Sequence, residues 1–522
     1  MTKHYGSGSE MNDRIMKGVN VLADNVASTL GPRGRNVILQ EKNKRPIVTK
    51  DGVTVAEFVD LEDPIENAGA QIIKQAAAQT NIDAGDGTTT ATVLARSILN
   101  TASKYVSAGA PPIELKRGME RAMEVILDTL DEMSQPIKSE EDIAHVATIS
   151  ANNDRQIGKL IANAVSSAGK DGAIAVEEAR SYQTSLDLVE GFRMDSGFAA
   201  SAFINDERRR AVAYDDPMIL VTDEKIDSVH DILPILELSA REARPLVFIA
   251  SEVEGQALAA MIMNAIKGTL KIAAIKAPRY GEERQNTLKD LALSTGATFI
   301  TRSQGKRLKD IKLVDFGNAS KIDITRMQTT IIGGKGDPDA IEKQIESLSE
   351  ELVNEDNLHK CEQIQDRIAR LASGIAIIRV GASTEVEMVE KKHRIEDALE
   401  AVHSAQLEGI VSGGGTALLV AVKHLDVQVE NSDQALGVEI IKLAVQAPLR
   451  QMAENAGESP DIICNQVLEA EDGYGYDFVS NKMVNMIEAG IIDPVKVTKT
   501  ALKNAISVAT SILITNCAII EK

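Results

Sequence analysis

The sequence has 522 residues, a formal net charge of −20, 43% apolar residues and no tryptophan. One hydrophobic core rarely serves more than ~300 residues, so two to four domains are expected, with interiors built from Ala, Val, Ile, Leu and Met. The acidic balance disfavours nucleic acid and membrane surfaces as partners, because clustered Lys and Arg bind those.

The sequence also predicts a compartment. The first residues lack the apolar stretch of a secretory signal, and their acidic residues disfavour a mitochondrial presequence. The longest apolar stretch, 506–520, is interrupted by Ser, Thr and Asn and is too short to span ~30 Å of hydrocarbon. Three cysteines without CxxC or metal spacing fit a reducing environment. We therefore expect a cytoplasmic protein.

The first part of the chain, to about Met133, is predicted to be mainly helical. Apolar residues recur at helical spacing from Ile15 to Val26. The Ala-rich stretch from Ile65 to Tyr105 predicts two helices with a break at 83–87. The β-like pieces are short and lie at 36–39 and 46–48.

From about 190 to 301 the pattern changes to alternating strands and helices. The apolar runs lie at 219–221, 246–249, 272–275 and 298–300, and the helical stretches at 228–242, 253–268 and 283–295. This alternation predicts a separate α/β domain with parallel neighbouring strands.

The last third of the chain is predicted to be helical again. Residues 338–372 carry apolar residues at helical spacing on both sides of the polar segment 354–357. This predicts two amphipathic helices packed on their own domain, with a coiled-coil partner site as the alternative. Near the end, Asp493 and Pro494 are predicted as the N-cap and first residue of a buried helix.

The most informative motif is Gly-Asp-Gly-Thr-Thr-Thr-Ala-Thr at 85–92, directly before a predicted helix. Glycines let the backbone approach a ligand, N–H groups at a helix N-terminus attract phosphate oxygens, and threonine hydroxyls add donors. Asp86 is suited to Mg²⁺, which prefers oxygen ligands and substrate phosphates. An ordinary Gly/Thr helix cap is the alternative interpretation.

Four other positions are ambiguous by themselves. Residues 29–35 fit a helix end with a stop at Pro32. Asp51 is either a turn former or a carboxylate near phosphates, and 413–415 either admits a nucleotide or allows tight packing. Asp397 lies in a helical pattern among several charges, where a solvated face is the default.

Taken together, these segments resemble the GroEL-type (group I) chaperonins in order and spacing over almost the whole chain. The motifs are GVNVLADNVASTLGPRGRNVIL, TKDGVTVA, GAQIIKQ, AGDGTTTATVLA, LKRG, ISAN, VEGF, KAPRYGEER, GASTEVEMVEKKHRIEDAL, GIVSGGGTAL, APLRQ and GIIDPVKVTK. TLGPRGRNVIL, and the lack of a long extra insertion in the apical part, are typical of group I.

The resemblance implies a multi-domain α and α/β fold. Its domains would be a mainly α equatorial ATP-binding domain (1–132 and 408–522), a small α/β intermediate domain (133–189 and 375–407) and an α/β apical polypeptide-binding domain (190–374). It implies an ATPase that forms a homo-oligomeric ring, of seven subunits in one or two rings. The ring would promote folding of non-native polypeptides through ATP-driven domain movements.

The resemblance also implies roles for single residues. Asp397 would position or activate the attacking water with help from Asp51, and Asp86 would bind Mg²⁺, with K⁺ as a further candidate ion. The residues around ATP would be Thr29, Leu30, Gly31, Pro32, Lys50, Asp86, Gly87, Thr88, Thr89, Thr90, Ile149, Ser150, Gly414, Asp477, Phe478, Val479 and Asp493. Water positioning and charge neutralisation drive phosphoryl transfer, so a mobile carboxylate would couple hydrolysis to domain closure.

Client polypeptides would be bound by apolar side chains of the apical domain, because non-native chains offer apolar area without defined geometry. The matching positions are Phe198, Phe203, Leu233, Leu236, Leu258, Ile262 and Met263. Core packing is the alternative for some of them. A GroES-like co-chaperonin is a further candidate partner.

The nucleotide and apical regions depart from the family pattern. Residues 477–479 read Asp-Phe-Val, where Asn-Ala-Ala is usual near the adenine. Ala202 replaces an apical Tyr, and Ser196 replaces an Arg expected to pair with Glu385 of a neighbouring subunit. These changes put nucleotide affinity, one client contact and cooperativity in question.

The surface between two rings departs as well. Ser432 and Ser459 stand where acidic partners of Lys104 and Arg450 are expected, which predicts a weakened ring–ring contact. The chain resembles a divergent member of the family, and a viral source is one candidate.

Two other functions remain as alternatives. A passive polypeptide-holding ring would bind clients without productive hydrolysis, but Asp51, Asp86 and Asp397 argue against it. A small-molecule kinase would use the same phosphate loop but lacks a recognisable acceptor site.

Overall fold

The computed structural model describes residues 3–40, 46–168, 173–179, 181–301, 305, 307–355, 357–372, 374–423 and 425–521. The chain forms two compact units. Unit 1 comprises Met1–Asn163, Glu178–Thr184 and Val380–Lys522, and unit 2 comprises Ala164–Glu177 and Ser185–Arg379. The three-domain boundaries given by the resemblance stay a prediction.

The helices of the described residues are α1 (Gly8–Ala27), α2 (Gly52–Phe58), α3 (Pro64–Ala84), α4 (Thr88–Ser107), α5 (Pro112–Met133), α6 (Glu140–Ser150), α7 (Arg155–Ala168), α8 (Val229–Glu242), α9 (Gly255–Ile266), α10 (Gly281–Thr295), α11 (Pro338–Asn354), α12 (Leu358–Ala372), α13 (Glu385–Glu408), α14 (Thr416–Lys423), α15 (Ser432–Ala444), α16 (Ala447–Ala456), α17 (Pro460–Glu469) and α18 (Val495–Leu513). None of them is long and apolar enough to cross a membrane.

The strands of the same residues are β1 (Lys3–Ser7), β2 (Val37–Leu39), β3 (Ile47–Thr49), β4 (Ala173–Glu178), β5 (Ser185–Met194), β6 (Val212–Asp215), β7 (Met218–Val221), β8 (Lys225–Ile226), β9 (Leu246–Ala250), β10 (Glu252–Val253), β11 (Ile272–Lys276), β12 (Gly317–Ile324), β13 (Thr329–Gly334), β14 (Gly374–Val380), β15 (Ile410–Ser412), β16 (Tyr474–Asp477), β17 (Lys482–Asn485), β18 (Ile492–Pro494) and β19 (Cys517–Glu521).

Unit 1 is a helical body whose core lies among α1, α3, α4, α5, α15 and α18. Small residues let its helices approach closely. A Cβ on Gly18 of α1 would lie 1.8 Å from the carbonyl oxygen of Glu66 on α3, and one on Gly118 of α5 would lie 2.0 Å from that of Gln434 on α15. The predicted helical start of the chain is therefore confirmed, with Ala, Ile and Gly setting the helix spacing.

The predicted break between two helices is also confirmed. Asp63 caps α3 by accepting hydrogen bonds from the N–H groups of Ile65 and Glu66. Gly85 (φ 74°) ends α3, and Gly87 (φ 87°) precedes the first residue of α4. Both glycines occupy the left-handed region that side chains disfavour, so the chain can turn sharply and begin α4 at once.

The predicted helix start at Asp493 and Pro494 is wrong by one residue. Pro494 is the N-cap, and α18 begins at Val495. The reason is strand pairing, because β18 pairs antiparallel with β15 and places Asp493 opposite Val411. This pairing keeps the backbone of Asp493 extended.

Unit 2 contains the main sheet, with the strand order β11-β9-β7-β12-β13-β5-β14-β4 and with β6 also paired to β12. The neighbouring strands β7, β9 and β11 are parallel, as predicted. Every residue of these three strands is buried except Lys276, the last residue of β11. The predicted strand at 298–300 is wrong. Ile300 forms only an isolated bridge to Thr222, because the Thr298 N–H donates to the Asp315 carbonyl instead of to a strand.

The predicted pair of amphipathic helices is confirmed as α11 and α12. Leu348, Ile364 and Leu371 form a small core between them. Arg367 of α12 makes two hydrogen bonds of 2.8 Å to the carboxylate of Asp290 on α10, which fixes the pair to unit 2. Asp356, in the polar segment between the helices, lies outside the described residues.

Candidate functional site

The first turn of α4 is packed against the turn at Asp51 and Gly52. A Cβ on Gly52 would lie 2.3 Å from Thr89 Oγ1 and 3.0 Å from Thr88 Oγ1, so a larger residue would push the two segments apart. The free N–H groups at the start of α4 and its threonine hydroxyls therefore lie beside Asp51.

Asp86 is held between α4 and the end of α6. Its Oδ1 accepts a 2.5 Å hydrogen bond from the Gly87 N–H, and its Oδ2 accepts a 2.6 Å bond from Ser150 Oγ. Burial raises the pKa of Asp86 above its ordinary value, the two hydrogen bonds oppose this, and the charge of Asp51 raises the pKa further. Ile149 precedes Ser150 on α6.

Asp493 is a second carboxylate in the same place. Burial and the negative charge of Asp86 raise the pKa of Asp493 to about 7, opposed by a hydrogen bond from the Gly414 N–H. Gly414 and Gly415 have φ values of 66° and 76°, and a Cβ on Gly413 would lie 3.0 Å from Asp493 Oδ1. The glycine turn at 413–415 thus lets the backbone approach this carboxylate.

Asp51 is the N-cap of α2. Its Oδ1 accepts a hydrogen bond from the Val53 N–H at 3.0 Å, and its Oδ2 accepts from the Thr54 N–H at 3.1 Å and from Thr54 Oγ1 at 2.5 Å. Both oxygens are therefore occupied by the helix start in this structure. The contacts of Asp51 are thus those of a turn former, as one of the two interpretations predicted. The charge of Asp51 nevertheless raises the pKa of Asp86.

Lys50 connects this turn to the end of α1. Its Nζ donates a 2.9 Å hydrogen bond to the carbonyl of Gly31. Burial and then the positive charge of Arg394 lower the pKa of Lys50, while Glu390 opposes the shift. Buried Thr29 caps the end of α1 through a 2.8 Å bond from its hydroxyl to the Val26 carbonyl, so Thr29, Leu30, Gly31 and Pro32 form the predicted turn after a helix.

Two further side chains, those of Asn455 and Arg33, fix the 29–32 turn. Asn455 Nδ2 donates 2.9 Å hydrogen bonds to the carbonyls of Ala27 and Leu30. Arg33 Nε donates a 3.1 Å bond to the carbonyl of Phe478. Arg33 is part of the quoted TLGPRGR motif, but no sequence signal connects Asn455 to a turn more than 400 residues earlier.

Asp397 lies on α13, on the face that approaches the glycine break. Ser404 Oγ donates a 2.9 Å hydrogen bond to the Ala84 carbonyl, and a Cβ on Gly85 would lie 2.2 Å from Glu400 Cβ. Asp397 is one helical turn before Glu400 and two turns before Ser404, so the three residues share a face. The Asp397 side chain is half-buried, whereas the local charge pattern by itself predicted a solvated position.

The divergent segment 477–479 folds as a turn. The Asp477 carboxylate accepts hydrogen bonds from the N–H groups of Val479 at 2.8 Å and Ser480 at 3.2 Å. The Phe478 ring is buried against Tyr476 in an edge-on arrangement with centroids 5.0 Å apart. The side chain of Val479 is exposed, whereas Phe478 offers a ligand only its main chain.

The structure thus brings most of the predicted site residues together within unit 1. The contacts above join the 29–32 turn, Lys50, Asp51, the start of α4 from Asp86 to Thr90, Ser150, Gly414 and Asp493. Across the described ranges, no three His, Cys, Asp or Glu side chains are close enough to make a metal site by themselves. A magnesium ion at Asp86 would therefore need phosphate and water oxygens as its other ligands.

The predicted client residues lie in unit 2 and differ in exposure. Leu233 of α8 is 47% exposed and Met263 of α9 is 51% exposed, whereas Phe203 (2%) and Leu236 (7%) belong to the core. Phe198, Leu258 and Ile262 are partly buried against that core. The core-packing alternative therefore describes Phe203 and Leu236. Ile266, which the resemblance did not indicate, is 66% exposed one turn after Met263 and continues the apolar face of Met263.

The structure gives the local surroundings of three residues connected with the departures from the family pattern. Arg450 forms an ion pair with Asp461. Ser196 Oγ donates a hydrogen bond to the Lys276 carbonyl, and Ala202 lies in a short 3₁₀ turn, Ser201–Phe203.

The fold is that of a chaperonin, and the sequence agrees with it. The model of the TCP-1/cpn60 chaperonin family matches residues 22–522, and the chain belongs to this family. A solved structure of the chaperonin gp146 from bacteriophage EL 2 (Pseudomonas aeruginosa), determined in the presence of ATP-BeFx, is similar over 99% of each chain with a TM-score of 0.66 and 20% identity. The resemblance and the multi-domain α and α/β fold predicted from the sequence are confirmed.

Proposed function

We propose that this chain is a subunit of a GroEL-type chaperonin that binds non-native polypeptides and uses ATP hydrolysis to release them for folding. The observation that carries this proposal is the meeting of Lys50, Asp51, Asp86 and Asp493 at the start of α4. Chaperonin family membership supports the same function.

The phosphates of ATP would be bound by the start of α4. A helix N-terminus offers unpaired N–H groups and a partial positive charge, and Thr88, Thr89 and Thr90 add hydroxyl donors. Lys50, whose ammonium group points to the Gly31 carbonyl, would supply a cation from the opposite side. The nucleoside end would lie toward Gly414, Asp493 and 477–479.

A cation fits beside Asp86. Burial raises the pKa of both Asp86 and Asp493, and the charge of Asp86 raises the pKa of Asp493 further, so a positive ion is favoured beside these two carboxylates. Asp86 would hold Mg²⁺, and K⁺ is the second candidate ion. Bound there, Mg²⁺ would offset the charge of the phosphates.

Hydrolysis would depend on Asp397 and Asp51. Asp397 would orient the attacking water and accept its proton, from the α13 face that lies against the glycine break. Asp51 would assist through its charge and by holding the Asp51–Gly52 turn against Thr89. Movement of α13 would then make hydrolysis depend on conformation.

Clients would bind to an apolar surface of unit 2, formed by Leu233 of α8 and by Met263 and Ile266 of α9, with Ile262, Leu258 and Phe198 beside it. We refer to Leu233, Met263 and Ile266 as the α8–α9 surface. Exposed apolar side chains of this kind are typical of binding sites for other polypeptides.

Exposed strands support assembly into a homo-oligomeric ring. The two-stranded sheet β2–β3 exposes Ile38 and Ile47, and the sheet β1–β19 exposes Tyr5 and Ile519. An unpaired strand edge offers free N–H and C=O groups with which a strand of another chain can pair. The same proposal includes a ring of seven subunits, a GroES-like co-chaperonin as partner and the three-domain division. It also includes a cytoplasmic location and a viral source.

ATP-driven release of a client tests the proposal. A fluorescently labelled, denatured polypeptide is bound to the purified protein, and release is followed after addition of MgATP or a non-hydrolysable analogue. Faster release with ATP than with the analogue is expected. Binding with no effect of ATP would instead identify the passive holding ring.

A further inference from the structure

Two neighbouring turns at one end of the main sheet of unit 2 carry several arginines. Val212, the first residue of β6, pairs with Ile324, the last residue of β12. Since the two strands are antiparallel, the turn before β6 (207–210) and the turn after β12 (325–328) project from the same end of the sheet.

Arg209 anchors the first turn. Its Nε donates to Asp206 Oδ2 at 2.7 Å, and its Nη1 donates to Asp323 Oδ2 on β12 at 2.5 Å. The flanking residues Arg208 and Arg210 have exposed side chains. Arg209 therefore fixes a turn on which Arg208 and Arg210 are exposed.

Arg326 is exposed at the tip of the second turn, which is closed by a 2.8 Å hydrogen bond from the Thr325 N–H to the Gln328 carbonyl. We refer to Arg208, Arg210 and Arg326 as the arginine rim. The carboxylate within the two turns is that of Glu207, so cations outnumber anions there. Met327, beside Arg326, is 75% exposed.

The arginine rim borders Phe198. The Phe198 N–H donates a 3.2 Å hydrogen bond to the Thr325 carbonyl. Gly197 lies so close to the second turn that a Cβ on it would be 2.2 Å from the Arg326 carbonyl oxygen. A polypeptide lying on Phe198 and Met327 would therefore pass the arginine rim.

We infer that the arginine rim binds acidic segments of non-native polypeptides whose neighbouring apolar side chains lie on Phe198 and Met327. This inference rests on the proposed polypeptide binding and adds a preference among clients. Guanidinium groups form two parallel hydrogen bonds with a carboxylate, which an ammonium cannot do. The exposed Met327 favours a polypeptide over nucleic acid, because a flexible apolar side chain adapts to the apolar side chains of a client.

Binding of three labelled peptides to the full-length protein tests the inference. The peptides share an apolar core and differ in flanks of three Asp, three Ser or three Lys. The test variant carries Arg208→Gln, Arg210→Gln and Arg326→Gln. The matched control carries Lys289→Gln, Lys309→Gln and Lys312→Gln, three exposed positions of unit 2 outside the two turns.

The parent protein and the control are expected to bind the Asp-flanked peptide at least about fivefold more tightly than the Lys-flanked peptide. Each exposed ion pair contributes little by itself, but three of them act together. The test variant loses this preference and keeps its affinity for the Ser-flanked peptide. The preference of the parent also disappears at about 1 M salt, where charges are screened beyond ~3 Å.

Equal binding of all three peptides by the parent, or an unchanged preference in the test variant, would overturn the arginine rim alone. Competition of single-stranded DNA with the Asp-flanked peptide at the arginine rim would assign the surface to nucleic acid instead. Failure of the parent to bind any of the peptides would overturn the proposed client binding together with this inference.

Discussion

Asp51 combines a structural and a proposed catalytic role in one carboxylate. Its oxygens cap α2, and its charge acts on Asp86. Because the two roles use different properties, substitutions can separate them. An asparagine keeps an acceptor for the helix start but removes the charge, whereas an alanine removes both.

We expect Asp51→Ala to lower the free energy of unfolding of unit 1 by about 1 kcal/mol, the usual contribution of an N-cap. Asp51→Asn should leave that free energy within a few tenths of a kcal/mol of the parent value but still reduce ATP hydrolysis at least tenfold. Urea unfolding and steady-state hydrolysis measure the two effects. Hydrolysis at the parental rate in Asp51→Asn would show that only the cap matters.

At the scale of elements, close helix packing determines how unit 1 holds its site. A Cβ on Gly118 would lie 2.0 Å from the Gln434 carbonyl, so Gly118→Ala forces α5 away from α15. We expect a loss of about 1–3 kcal/mol in the free energy of unfolding, as is usual for overpacking.

Asp128→Ala, at an exposed position of the same helix, is the control for the gain in helix propensity and should change stability by less than about 0.5 kcal/mol. Urea unfolding of both variants decides the matter. Equal stability of Gly118→Ala and the parent would mean that the helices can separate without cost.

The α8–α9 surface predicts a contrast between exposed and buried leucines. Leu233→Ser together with Met263→Ser should weaken binding of a denatured client at least tenfold and leave thermal unfolding nearly unchanged, because both side chains are about half exposed. Leu236→Ala, in the core, should instead lower the free energy of unfolding by about 2–5 kcal/mol. Undiminished client binding by the double variant would move the client site elsewhere.

Periodicity in the sequence predicted most elements, and tertiary pairing explains where it failed. The helices on both sides of 83–87 follow from apolar spacing and two glycines. The extended backbone at Asp493 depends on β15, and the missing strand at 298–300 depends on Asp315, so neither could be derived from local sequence. Burial of Leu236 beside exposed Leu233 likewise depends on which face α8 turns to the sheet.

The candidate site was predictable mainly through the resemblance. The motif at 85–92 predicts phosphate binding by itself, but Asp397 and Asp493 lie in other parts of the chain and have ordinary local patterns. The helix α13 packs against the glycine break through Glu400 and Ser404, and Asp493 lies close enough to Asp86 for the Asp86 charge to raise the pKa of Asp493. Asn455 shows the same effect, because its two hydrogen bonds reach carbonyls of the first helix end.

At the scale of the whole molecule, the ring–ring contact is predicted to be weak. Ser432 and Ser459 cannot supply the missing negative charges, and Arg450 is already paired with Asp461 of its own chain. Exposed ion pairs contribute only about 0–1 kcal/mol each, so the loss acts through many subunits together. Mass measurement in the presence of ATP should detect single rings. Double rings that persist throughout the ATPase cycle would contradict this prediction.

We propose that ATP hydrolysis, with Asp397 as the general base, drives the chaperone. Steady-state ATP hydrolysis by the purified protein and by Asp397→Ala, with nucleotide binding measured in parallel, tests it most directly. We predict that the parent hydrolyses ATP and that Asp397→Ala loses at least 100-fold in rate while nucleotide affinity stays within threefold, in line with about 10²–10⁴-fold for a general base. No hydrolysis by the parent, with or without a lid protein, would contradict an ATP-driven chaperone and favour the passive holding ring.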